Sequence, residues 1–212
     1  MICVAISDKS IEKCLAILDV VDMAEIRLDL TDFGIEEIDR IFAHPTPQVA
    51  TCRPEKKGPQ NQLKRLIAAI RAGASYVDIE VEASRKQRET IIDIAREYRC
   101  KVIISYHNFD ETPGLRELYK IVDKCYDLGA DIAKVATYSK SGADSARLLS
   151  LYSNHKPLIA LGMGHHGKIT RIVSPLLGAE FTFASMDEGE ETAEGQIKYS
   201  KLKEIIGRFK DI

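Results

Sequence analysis

The chain has no charge excess of either sign: 30 Lys and Arg stand against 32 Asp and Glu, a formal net charge of -2 over 212 residues. A broad nucleic-acid footprint needs a basic face, so no nucleic-acid partner is expected. No apolar run reaches the roughly 20 residues that span a bilayer, so no membrane partner is expected either. The opening Met1-Ile2-Cys3-Val4-Ala5-Ile6-Ser7 enters a strand-like run without a basic leader, so no signal peptide is expected. The five cysteines, Cys3, Cys14, Cys52, Cys100 and Cys125, are odd in number and hold no C-x-x-C pair. That fits buried thiols in a reducing cytoplasm better than a disulfide frame or a zinc site. No G-x-G-x-x-G follows the first strand-like run, which weakens a dinucleotide site. No low-complexity segment or change of composition marks a domain boundary.

What is present is alternation. Apolar content of 45% and charged content of 29% are ordinary for a soluble globular protein. Short β-branched runs alternate with longer amphipathic stretches. Strands are predicted at Cys3–Ser7, Met23–Leu30, Gln48–Cys52, Tyr76–Val81, Lys101–Tyr106, Asp131–Val135, Pro157–Leu161 and Glu180–Ala184. Helices are predicted between them, from Ser10–Leu18, with Ser10 as N-cap, to a short one at Lys168–Val173 and a last one at Gln196–Phe209. Eight β-then-α units predict an α/β chain folded as a (β/α)8 TIM barrel, one domain over residues 1–212. The length is short for that fold, so the loops must be tight. A doubly wound open sheet is the runner-up. The stretches 53–60 and 186–195 follow strands and belong at the C-terminal mouth, where barrel enzymes keep their chemistry.

Polar residues on strands carry the functional signal. In the run from Ala130 to Ala136, Ile132, Lys134 and Ala136 share one face. Lys134 is a lone ammonium near the end of an unpolar strand. Lysine is seldom buried, because burial disfavours its charged form, and a desolvated amine is a nucleophile toward carbonyl carbon. On this strand alone, a lysine that reaches water from a strand end is the commoner outcome.

On Met23–Leu30, Glu25, Arg27 and Asp29 share one face, and Ala24, Ile26, Leu28 and Leu30 the other. Three charges facing a barrel interior are costly unless they pair or bind something polar. A polar ligand site is therefore favoured over a solvated edge strand. His107 follows the strand Lys101–Tyr106 and shares parity with Ile103. In a parallel barrel it would stand one strand spacing, about 5 Å, from the Lys134 strand. An amine nucleophile beside a histidine general base is a recognisable constellation.

Arg53 and Arg171 each follow a strand, and arginine grips carboxylates bidentately. Asp78 and Glu80 share a face, as counter-charges to Arg27 and Arg53 or as a metal pair; the counter-charge role is favoured. His165-His166, in a loop read over Gly162–Gly167, lacks the spacing of metal ligands. The acidic stretch from Asp187 to Gln196 has the composition of a mobile loop able to close over a barrel mouth.

These pieces come in a specific order. Glu25-Ile26-Arg27-Leu28-Asp29, Thr51-Cys52-Arg53, Asp78-Ile79-Glu80, Ser105-Tyr106-His107-Asn108-Phe109 with Thr112-Pro113, Gly129-Ala130-Asp131-Ile132-Ala133-Lys134, Met163-Gly164, Arg171 and Gly195-Gln196 resemble the type I 3-dehydroquinate dehydratase family. The likeness runs from the second strand to the last helix. It implies a shikimate-pathway hydro-lyase that converts 3-dehydroquinate to 3-dehydroshikimate. It implies no metal or nucleotide cofactor and a homodimer, while the cysteine usage points to a cytoplasmic location. By the same resemblance Lys134 matches the Schiff-base lysine and His107 the general acid/base, while Glu25, Arg27, Arg53, Arg171 and Gln196 match substrate-holding positions. Thr192 falls where the family often has serine. Departures are Lys57, where the family often has glutamate (Glu55 lies close by), and Glu194, where it usually has proline.

Two other readings remain: a class I aldolase on a phosphosugar, with Gly162–Gly167 as a partial phosphate loop, and a non-catalytic binding barrel. Neither explains the charged triplet together with Lys134 and His107.

Overall fold

The structure, a computed structural model, describes residues 1–8, 10–53, 58–154, 156–187 and 194–210. The expected alternation is present throughout them. The elements are β1 Ile2–Ile6, α1 Ile11–Leu18, β2 Met23–Arg27, α2 Ile35–Phe42, β3 Gln48–Thr51, α3 Pro59–Ala72, β4 Tyr76–Glu80 and α4 Arg85–Glu97. They continue with β5 Lys101–Asn108, α5 Leu115–Asp127, β6 Ile132–Tyr138, α6 Gly142–Ser150, β7 Leu158–Met163, α7 Gly164–Val173, β8 Thr182–Ser185 and α8 Tyr199–Lys210. The strands form one eight-stranded sheet in the order β7-β6-β5-β4-β3-β2-β1-β8. Parallel strands joined in sequence order through helices make this the (β/α)8 fold. Contacts group the chain into two compact units, Ala5–Ile103 and Met1–Val4 with Ile104–Ile212.

In the first unit, Ser10 caps α1 as expected, its Oγ accepting from Lys13 N at 3.3 Å. The parallel register pairs Glu25 with Val49, Arg27 with Thr51, and Thr51 with Asp78. One sheet face therefore carries Glu25, Arg27, Thr51 and Asp78, and the other Ala24, Ile26, Ala50 and Val77. The apolar face meets Ile38, Ile41 and Phe42 of α2, Leu66, Ala69 and Ile70 of α3, and Ile91, Ile92 and Ala95 of α4, all buried. Amphipathic spacing thus turns each helix onto the sheet and leaves the polar strand face for something else.

In the second unit, the β6–β7 register pairs Lys134 with Ile159, Ala136 with Leu161 and Tyr138 with Met163. Glu180 N donates to Leu158 O at 3.1 Å, tying the residues before β8 to the start of β7. Two boundaries differ from the sequence reading in ways that matter. β6 runs on to Tyr138, so Lys134 is its third residue rather than near its end. α7 begins at Gly164, so Gly162–Gly167 is not a loop but the end of β7 and the first helical turn. The reason is backbone proximity. A Cβ on Gly167 would lie 2.3 Å from Gly162 C, and only two glycines let helix and strand meet so closely.

Candidate active site

Lys134 is buried rather than reaching out from a strand end. It is 5% exposed, and its Nζ stands 4.4 Å from the ring centroid of Phe183 on β8. It is the third residue of β6, among buried Ile132, Ala133 and Val135. Phe183 links a second predicted residue. Arg171, 2% exposed and within α7 rather than after a loop, donates from Nη1 to Phe183 O at 3.4 Å. Thr182 Oγ1 returns a bond to Arg171 O at 2.9 Å. Arg171 and Lys134 thus both contact one β8 residue.

His107 lies within β5, the strand hydrogen-bonded beside β6, and is half-buried. Its ring stacks on Phe109 with centroids 6.1 Å apart. Asn108 Oδ1 accepts from Asp110 N and Glu111 N at 2.9 and 3.0 Å, shaping the turn after the histidine. Thr112 then pins that loop to β6, with its Oγ1 2.8 Å from Thr137 Oγ1 and 2.9 Å from Tyr138 O.

Gln196 is buried but precedes α8, which starts at Tyr199 rather than at Gln196. Its segment is seated by glycines. Gly164 N donates to Glu194 O at 3.2 Å, and a Cβ on Gly195 would come within 2.5 Å of Gly164 O. Gly164 in turn lies against the Tyr138 ring. Gly164 and Gly195 both have positive φ, 75° and 83°, where a side chain is strained as well as blocked. Thr192, Glu55 and Lys57 lie outside the described residues. His165 and His166 are exposed on the first turn of α7.

In the other unit, Arg27 does not pair with Asp78 or Glu80. β2 ends at Arg27, and the chain turns so that Asp29 grips Arg27 bidentately, Nε to Oδ1 at 3.1 Å and Nη2 to Oδ2 at 2.8 Å. Asp78 and Glu80 serve Arg53 alone of the two arginines, at 2.9 and 3.6 Å from its Nη1. Thr51 Oγ1 donates to buried Glu25 Oε1 at 2.8 Å. Burial works against the charge on both arginines. The neighbouring carboxylates more than offset it, Asp29 and Glu25 at Arg27 and Asp78, Glu80 and Glu25 at Arg53, so both guanidiniums stay above their ordinary range. Both remain cations at any working pH. Among the described residues no group of three His, Cys, Asp or Glu is placed to hold a metal ion.

Three supporting residues escape a reading by strand alternation. Phe183 looks like core. Gln62 and Arg65 interrupt the apolar stripe of α3, which was the available signal.

A buried lysine on a strand of a (β/α)8 fold, with hydrogen-bonded and ion-paired side chains along the polar strand faces, defines a barrel enzyme. The chain belongs to the type I 3-dehydroquinase family, whose model matches residues 2–210. The 3-dehydroquinate dehydratase of Methanococcus vannielii is 36% identical over 221 residues, covering 97% of this chain and 98% of that protein. The one from Desulfotalea psychrophila is 36% identical over 199 residues, covering 89% and 87%. Among solved structures, the 3-dehydroquinate dehydratase of Aquifex aeolicus superposes with a TM-score of 0.83 at 28% identity, covering all of both chains. The type I enzyme of Clostridium difficile, at 23% identity and covering 100% of this chain and 92% of that one, shares the fold with a TM-score of 0.85.

Proposed function

We propose that this chain dehydrates 3-dehydroquinate to 3-dehydroshikimate through an imine on Lys134. The observation that carries the reading is the buried amine of Lys134, in a chain that matches the family along nearly its whole length. The amine adds to the substrate ketone and water leaves, giving a protonated imine that draws electrons from the neighbouring carbon. His107 takes the proton from that carbon. The resulting enamine expels the β-hydroxyl, which takes a proton from the His107 imidazolium and departs as water. Hydrolysis of the conjugated imine returns the Lys134 amine and the product. The Phe183 face, 4.4 Å from Nζ, attracts a cation and so favours the iminium.

Arg171 is assigned to the substrate carboxylate. Glu25, Arg27, Arg53 and Gln196 are assigned to the ring hydroxyls and to orientation, and Thr192 to the closing segment. The reading includes a cytoplasmic homodimer. No described helix is long and apolar enough to cross a membrane. A phosphosugar aldolase is less well supported, because the first amide after β7 already donates to Glu194 O.

The test is turnover of 3-dehydroquinate, with a phosphosugar as control. A conjugated enone absorbing in the ultraviolet is expected, and borohydride should fix substrate mass on Lys134. A Lys134→Ala protein with undiminished turnover ends the imine mechanism. Proton exchange at the substrate should vanish in His107→Ala; full activity there removes its role.

A further inference from the structure

Gln62 and Arg65 stand three residues apart on the α3 face that otherwise packs Leu66, Ala69 and Ile70. Both are buried, at 8% and 7% exposure. Gln62 Nε2 donates to Cys52 O at 2.7 Å. Arg65 Nη1 donates to Phe33 O at 2.7 Å, and its Nη2 to Leu28 O at 3.0 Å and Thr31 O at 3.1 Å, with Thr31 Oγ1 at 3.3 Å. Among the described residues no carboxylate pairs with this guanidinium. A buried cation satisfied mainly by carbonyls is costly, and an apolar residue like Leu66 would seal the helix to the sheet without that cost. The charge is explained by what it holds.

What it holds is specific. Leu28 follows Arg27, and Thr31 and Phe33 complete the turn that carries Asp29 back onto Arg27 at 2.8 Å. Cys52 precedes Arg53. The two strand ends are tied to each other by Leu28 N donating to Thr51 O at 2.8 Å. One helix face thus fixes the chain beside both arginines.

We propose that Gln62 and Arg65 are positioning residues, a brace on α3 that sets Arg27 and Arg53 for gripping the substrate. The inference rests on the assignment of those two arginines to substrate. Arg65 acts through the turn and the Asp29 carboxylate, Gln62 through the backbone that leads into Arg53. Neither touches the reacting atoms, so the brace governs binding rather than the proton transfers assigned to His107.

The experiment compares Arg65→Met, Arg65→Lys and Gln62→Leu with the unaltered protein. Steady-state kinetics use 3-dehydroquinate, and calorimetric binding of the same compound uses a Lys134→Ala background. Displacing a binding group by a fraction of an ångström to an ångström costs up to about a hundredfold. KM and Kd should therefore rise about tenfold in Arg65→Met and several-fold in Gln62→Leu, with kcat within about threefold. Arg65→Lys should recover part of the loss, since an ammonium reaches one or two of the carbonyls. If Arg65→Met does not fold, the other two variants carry the test. Variants that lose thermal stability but keep KM and Kd overturn the brace alone. An unaltered protein without turnover overturns the function reading, and this inference with it.

Discussion

Asp78 is the most telling place to perturb the structure, because its side chain is 0% exposed and its ion partner Arg53, 2.9 Å away, is 14% exposed. Asp78→Asn removes the charge and leaves the shape. Breaking a buried pair by neutralising one partner costs about 3–5 kcal/mol, since the other charge stays behind undercompensated. Glu80, 3.6 Å from the same Nη1, keeps part of the compensation, which points to the lower end, about 3 kcal/mol. For a chain of this size each kcal/mol moves Tm by about 2–4 °C, so a fall of about 6–12 °C is expected in a thermal melt. Arg53→Met should cost a similar amount by stranding Asp78. With Asp78→Leu as the second single variant, the double variant Arg53→Met/Asp78→Leu closes a cycle; both charges are gone, and apolar replacements of buried pairs are often neutral, so it should melt above either of its single variants. A coupling energy of about 2 kcal/mol or more would follow from the cycle. Single costs that simply add, within about 0.5 kcal/mol, would refute the pairing and the counter-charge role of Asp78.

Gly195→Ala places a Cβ 2.5 Å from Gly164 O at a φ of 83°, so the segment before α8 must lift. A drop in kcat/KM of about tenfold or more is expected in the turnover assay, because Gln196 moves with it; an unchanged value would show the seat to be dispensable. Thr112→Val leaves Tyr138 O and the Thr137 hydroxyl without their Thr112 bonds, which should lower stability by about 1–3 kcal/mol in urea unfolding. A neutral Thr112→Val would remove that loop tie.

Burial pushes the Cys14 thiol and the Tyr152 hydroxyl each up to about 12. The folded chain therefore keeps protons that the unfolded chain releases from about pH 9 upward. The unfolded state binds fewer protons in that window, so stability should fall as pH rises from about 9 to 12. A flat urea midpoint across that range would contradict the burial argument. All five cysteines are buried, so alkylation at pH 8 should be fast only after unfolding.

The parts of this molecule that were readable from the sequence are those set within one element. Alternation along β2 put Glu25 and Arg27 on one face because a strand's period is two wherever the strand lies. Lys134 was suspect because its neighbours were apolar. The β-then-α rhythm needed only local runs of β-branched residues and helical spacing. What was misread depends on where the chain turns. Strand alternation points Asp78 and Glu80 toward Arg27 as well as Arg53, but β2 stops at Arg27 and the turn returns Asp29 to it. Read as strand neighbours, Arg27 and Asp29 share a face without touching; the turn converts them into a bidentate pair. Gly162 and Gly167 read as a loop in sequence because glycine marks turns as often as close contacts. Only the approach of α7 to β7 distinguishes the two uses, and that approach is a tertiary fact. Arg65 follows the same logic: its place on an apolar stripe was visible, but the carbonyls it holds come from 32 to 37 residues away. A charge's face is thus a property of its own segment and its partner a property of the fold, which is why candidate residues were found more readily than the contacts that hold them.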